Sequence, residues 1–135
     1  KEYEVFAQSC LKAAYELYNM GEKQEGYQQG NSFGAPYRYE ENTWADDMEW
    51  AAACMYRISK EKKFLKDARA YAKIIGTWSW MERDTASHYE MYPFVNMGHY
   101  ALWQVGDSTD KKEMSKYYEH NLENIKKRFK IDLQN

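Results

Sequence analysis

The chain has 135 residues, one domain's worth of polypeptide, and its 30% charged and 44% hydrophobic residues exclude intrinsic disorder. A net charge of −2 gives no electrostatic reason to expect a nucleic acid or an anionic membrane as partner, and no apolar run approaches the roughly 20 residues of a membrane span. Aromatic residues are in excess, with 13 Tyr, 5 Trp and 5 Phe, whereas 7 Gly and 2 Pro are too few for a turn-rich all-β fold; the composition predicts an all-α protein. Cys10 and Cys54 have neither a disulfide-framework nor a zinc-site spacing. Both fall on apolar sides of helices and read as buried thiols. The first residue is Lys1, so a signal peptide already removed is compatible with the sequence.

In chain order, Tyr3, Phe6, Ala7, Cys10, Leu11, Ala14, Leu17 and Tyr18 recur at three- and four-residue steps and predict a helix with one buried face, stopped by Gly21. A Gly- and Gln-rich stretch of about two dozen residues without period follows. A second helix is expected from Thr43 to about Ser59, with Asp46 three positions after Thr43 in a capping-box-like arrangement. Its middle, Trp50 to Tyr56, is apolar around the whole circumference, which predicts burial on every side. The third helix, about Lys62 to Ile75, returns to one stripe of Phe64, Leu65, Ala68, Tyr71, Ala72 and Ile75. Gly76 ends it. A second long loop runs to Pro93, suited to the first turn of a fourth helix, about Phe94 to Val105 and again apolar all round. A Gly106-Asp107-Ser108 turn leads to the fifth helix, with Met114, Tyr118, Leu122, Ile125 and Phe129 on its stripe.

Inner and outer helices thus alternate, and so do their connections. Inner-to-outer links are short and outer-to-inner links are long and aromatic, so antiparallel neighbours place both long loops at one end. A double layer of this kind is the architecture of an α/α toroid, which closes with roughly twelve helices. Five are present, which marks residues 1–135 as a single partial domain.

The loop-bearing end gathers Tyr27, Phe33, Tyr37, Tyr39, Trp44, Trp78, Trp80, His88, Tyr89 and Tyr92. Sugar rings offer apolar C–H faces bordered by hydroxyls, which aromatic platforms mixed with short polar side chains recognise. Tyr37, Tyr39, Trp44, His88, Tyr89 and Tyr92 are the substrate-binding candidates; packing of the loops on their own aromatics is the alternative. Asp46 and Asp47 are adjacent, about 100° apart on a helix, and cannot straddle a glycosidic bond as an acid–base pair must. They fit helix capping, or oxygen ligation of calcium together with Asn42 and Thr43. His99 reads as a satisfied core histidine and His120 as a solvated one. Phosphate-binding, dinucleotide-binding and serine-hydrolase motifs are absent from the sequence.

The segment ENTWADDMEWAAACMYRISKEKKFLKDARAYA resembles glycoside hydrolase family 9, inverting cellulases and related β-glucan hydrolases with an (α/α)6 barrel. It matches that family's D-E-L-x-W-A-A-A-x-L-Y-R run at Asp46, Asp47, Met48, Trp50, Ala51, Ala52, Ala53, Tyr56 and Arg57. The later DTASHYEMYPFVNMGHYAL is similar to a form in bacterial members, and the resemblance extends from about Phe6 to Leu122. It implies an interior segment of an (α/α)6 catalytic domain that hydrolyses β-1,4-glucosidic bonds with inversion. A calcium-binding stretch of some members falls on Asn42, Thr43, Asp46 and Asp47, with Ser and Gly replaced and Asp47 where Glu is usual. The family's D-A-G-D base motif and distal acid Glu do not occur, so the resemblance implies no catalytic residue in this chain and no activity of the chain alone.

The expected partners are a β-glucan, and the remainder of the same catalytic domain or another copy of the chain along the open helix edges. The resemblance also implies a secreted, periplasmic or cell-surface setting. Two other readings fit the helix pattern: a stand-alone helical-repeat module binding a glycan or peptide, and another α/α-barrel sugar enzyme such as an epimerase or unsaturated glycuronyl hydrolase.

Overall fold

A computed structural model describes residues 2–26, 43–77 and 96–129. They form five α-helices and, among the described residues, no strand: α1 (Glu2–Lys23), α2 (Ala45–Ser59), α3 (Lys62–Ile75), α4 (Met97–Val105) and α5 (Ser108–Phe129).

The α3 stripe forms as its periodicity dictates, with Phe64, Ala68, Tyr71, Ala72 and Ile75 buried. It packs on α2, where Ala52 and Ala53 are fully buried like Ala68 and Ala72, and these methyl side chains let the two helices approach closely. Tyr18, Met55, Leu102 and Met114 complete the core. Only two residues, Lys60 and Glu61, join α2 to α3. Lys60 adopts the left-handed conformation (φ 61°), and its N–H donates to the Tyr56 carbonyl at 2.9 Å, closing the end of α2.

Directions follow from side-chain contacts. The Tyr15 hydroxyl donates to Glu61, that of Tyr18 to Asp67 (3.0 Å) and that of Tyr71 to Glu25 (2.9 Å), so the contacts advance together and α1 runs parallel to α3 in one layer. Glu49 and His99 meet near the starts of α2 and α4, which therefore run parallel in the other layer. Asn121 of α5 bonds Asn96 ahead of α4, making α5 antiparallel to α4. The result is the all-α arrangement of antiparallel hairpins expected from the sequence. The end of α1, the start of α2, the end of α3 and the start of α4 all meet at one end.

Several local expectations change. Helix α1 runs through Gly21 to Lys23. A Cβ there would lie 2.8 Å from Met48 Sδ, so this glycine serves the close approach of α2 and does not stop the helix. Helix α2 is not buried on every side: Trp50 is 42% and Ile58 60% exposed, because the described helices cover only one flank of it. Cys54 is half-buried and Cys10 is exposed, in the run of α1 from residue 3 to residue 13 that is exposed throughout. Residues 94 and 95, expected to open the fourth helix, lie outside the described residues, and α4 starts at Met97.

Candidate functional site

The helix ends that meet at one end, those of α1 to α4 described above, form the candidate site. Trp44, immediately ahead of α2, is half-buried and sets its ring edge-on against Tyr71, with centroids 5.8 Å apart and planes at 80°. Tyr71 is anchored in turn through its hydroxyl to Glu25, and burial, followed by that carboxylate, raises its pKa. Trp44 thus stands at the mouth of the helix layer, partly committed to the Tyr71 contact. Of the other substrate-binding candidates, Tyr37, Tyr39, His88, Tyr89 and Tyr92 lie outside the described residues.

The Thr43 hydroxyl donates to Asp46 Oδ1 at 3.1 Å, and Trp44, at the N-cap position of α2, makes no side-chain cap bond. Burial, and then the charge of Asp47, pushes the Asp46 carboxyl above its ordinary range. Asp47 is exposed. Asn42 lies outside the described residues. Thr43, Asp46 and Asp47 bring five side-chain oxygens toward the six to eight that calcium takes, and no group of three or more His, Cys, Asp or Glu among the described residues could hold a metal ion. The two carboxylates do sit at the positive end of α2, where they offset the helix dipole.

His99 is the satisfied core histidine that the sequence suggests, and its buried partner at this end, Glu49, is the residue that the sequence does not single out. Glu49 is 0% and His99 3% exposed. His99 Nδ1 lies 2.9 Å from the Glu49 carboxylate, and Nε2 donates to the Gly76 carbonyl at 2.7 Å. Burial raises the Glu49 pKa against the pull of His99. For His99, burial acts downward but is outweighed by the bonds to Glu49 and Gly76, leaving the ring's pKa above its ordinary value. The available signal was a carboxylate three and four residues ahead of Ala52 and Ala53, on the stripe that becomes the core. Gly98 makes room for the pair: a Cβ there would lie 2.8 Å from Glu49 Oε2 and 2.9 Å from the Asp46 carbonyl oxygen.

At the far edge, between α4 and α5, a groove of about 530 Å³ is lined by Asn96, Met97, Tyr100, Trp103, Met114 and Tyr118. Tyr100 is 56% exposed at this edge, and α1 carries exposed Tyr3, Phe6 and Leu17 at the opposite one.

A double layer of antiparallel helices with its long connections at one end places the chain in the class of α/α hairpin proteins. The family model for glycosyl hydrolase family 9 matches residues 1–133, nearly the whole chain. The chain belongs to glycosyl hydrolase family 9, whose chemistry is the hydrolysis of glycosidic bonds in carbohydrates. No curated protein and no solved structure matches it. Among the described residues, no helix is long and apolar enough to cross a membrane.

Proposed function

We propose that the chain is a segment of the catalytic domain of a cellulase-type enzyme that inverts β-1,4-glucosidic bonds, and that it supplies part of the substrate cleft. The observation that carries this reading is the one-ended arrangement: the end of α1, the start of α2, the end of α3 and the start of α4, which flank the two long aromatic-rich stretches of the sequence, meet at a single end. Tyr37, Tyr39, Trp44, His88, Tyr89 and Tyr92 are the residues assigned to sugar contact there. Inversion needs a carboxylic acid and a carboxylate roughly 6.5 to 9.5 Å apart with a water between. The adjacent Asp46 and Asp47 cannot supply that pair, so acid and base come from other parts of the polypeptide. The aromatic groove along α4 and α5 and the bare stripe of α1 are then faces that further helices of the same domain, or another copy, cover. Polymeric glucan as substrate goes with a secreted, periplasmic or cell-surface setting.

The test is sugar release from soluble β-glucan by the purified chain, with tryptophan fluorescence read during titration with cello-oligosaccharides. The expected outcome is a fluorescence change with no hydrolysis. Reducing sugar that tracks the chain through purification would overturn the assignment of acid and base elsewhere, and fluorescence unmoved by any cello-oligosaccharide would overturn the sugar-binding role.

A further inference from the structure

The sugar-binding reading makes no use of His99, yet both of its ring nitrogens are engaged by neighbouring helices. Nε2 faces the carbonyl oxygen of Gly76 at 2.7 Å, and a carbonyl only accepts, so Nε2 carries a hydrogen. Nδ1 faces both oxygens of Glu49 at 2.9 Å. With Glu49 ionised, both ring nitrogens face acceptors, and an imidazole so placed is doubly protonated and charged.

Burial opposes a cation here, and the rest of the enclosure offsets it. From α2, Asp46 adds a second negative charge beyond Glu49. From α5, the Tyr117 ring lies over the imidazole with centroids 5.0 Å apart and planes at 30°, and its hydroxyl donates to Glu113 at 3.0 Å. The end of α3 contributes the Gly76 carbonyl. Each of these groups is an acceptor, an acid or an aromatic face, and each favours the charged ring.

We propose that His99 is a proton-dependent clasp: as an imidazolium it ties the first turn of α4 to α2 through Glu49 and to the end of α3 through Gly76. Release of the Nδ1 proton to solvent leaves a nitrogen lone pair facing a buried carboxylate, which breaks the tie to α2 while the Nε2 bond to Gly76 remains. The folded-state pKa of His99 lies above the ordinary 6.5. The clasp's contribution is therefore whole below that value and is lost as pH rises through the folded-state one. The ends of α3 and α4 that it joins are those from which the second long connection departs and to which it returns, so the device sets the footing of the candidate site in a pH-dependent way. It goes beyond the sugar-binding reading and stands without it.

The experiment is a pH titration of the chain labelled with nitrogen-15 histidine, followed by long-range proton–nitrogen spectra in buffer containing a chelator. The same chain in urea is the reference. Expected are two protonated ring nitrogens on His99 at pH 6, a midpoint shifted upward from the urea reference, and faster amide exchange at Gly98 to Ala101 once that midpoint is passed. Glu49→Gln keeps a side-chain oxygen and removes the charge, and should move the midpoint downward. A neutral His99 tautomer at pH 6, a midpoint at or below the urea reference, or a midpoint unmoved in E49Q would overturn the proposal. Should E49Q fail to fold, the wild-type titration against urea decides it.

Discussion

Arg69 and Asp110 form a two-pronged ion pair: Nε donates to Oδ1 at 2.7 Å and Nη2 to Oδ2 at 2.8 Å. Asp110 also accepts the Asp107 N–H, while Asp107 Oδ1 accepts the N–H groups of Thr109 and Asp110, a reciprocal cap on the start of α5. One carboxylate, only 6% exposed at its side chain, thus both begins α5 and ties it to α3. Asp110→Ala loses the cap bond and leaves the Arg69 fork with Asp107 alone, at a cost of about 2–3 kcal/mol. Urea unfolding measures it; a change below about 0.5 kcal/mol would show that water replaces the pair.

The same cap gives an acid dependence. The backbone N–H groups of Asp110 and Thr109 hold the Asp107 carboxyl below its ordinary 3.8, with Arg69 assisting. A lowered carboxyl pKa contributes stability that is present above the unfolded value and is lost as pH falls through the folded one. Acid unfolding curves below about pH 4 should therefore flatten in Asp107→Asn relative to the wild type, and curves of equal steepness would remove Asp107 from the account.

Gly98 sets the spacing of α2 and α4 at the candidate site. Alanine in an open helix gains about 1 kcal/mol over glycine, but here its Cβ would meet the Asp46 carbonyl oxygen at 2.9 Å, and backbone does not yield as a flexible side chain does. Overpacking of this kind costs about 1–3 kcal/mol. The net expectation for Gly98→Ala is destabilisation, with the His99 ring resonances displaced. A stabilised variant with unmoved resonances would show that α4 shifts freely.

Much of this fold was legible because its signals are local. The three- and four-residue recurrence of Phe64, Ala68, Tyr71, Ala72 and Ile75 needs no partner to announce a buried stripe, and α3 has the bounds the sequence predicts. Gly21 misleads because the same residue type ends helices and admits close neighbours, and only Met48, remote in sequence, tells the two uses apart. Trp50 misleads because an apolar circumference reports what can be buried, while its cover depends on helices beyond α1, α3 and α4. At the site, Trp44, Thr43, Asp46 and Asp47 do come together at the start of α2. His99 is legible as a satisfied core histidine, but its partner Glu49 is not, because a buried charge is recognised by its counter-charge and the two lie 50 positions apart.

The exposed edge of α1 gives a prediction of the opposite sign to the core. Tyr3, Phe6 and Leu17 are 89%, 70% and 63% exposed, so the described helices gain nothing from burying them. Phe6→Ser with Leu17→Ser should leave the unfolding free energy within about 1 kcal/mol of the wild type while reducing self-association in sedimentation. A wild-type chain that sediments as a monodisperse monomer at high concentration would count against an edge that other helices cover.

Phe64 offers the sharpest test of where the core lies. It is 2% exposed, and the rings of Tyr15 and Tyr18 meet it edge-on at centroid distances of 5.7 and 4.9 Å, so one side chain of α3 holds the inward face of α1. Tyr18 is fixed on its far side by Asp67, one turn along α3 from Phe64, so it cannot swing in to fill a space left at Phe64 without breaking that bond. Phe64→Ala should therefore approach the upper part of the 3–5 kcal/mol range for buried aromatic truncations, a large share of the ~5–15 kcal/mol that stabilises a typical domain. Phe64→Leu fills most of the volume and should cost about 1–2 kcal/mol. Equal losses for the two variants would mean that edge-on ring contact, not filled volume, holds α1 in place.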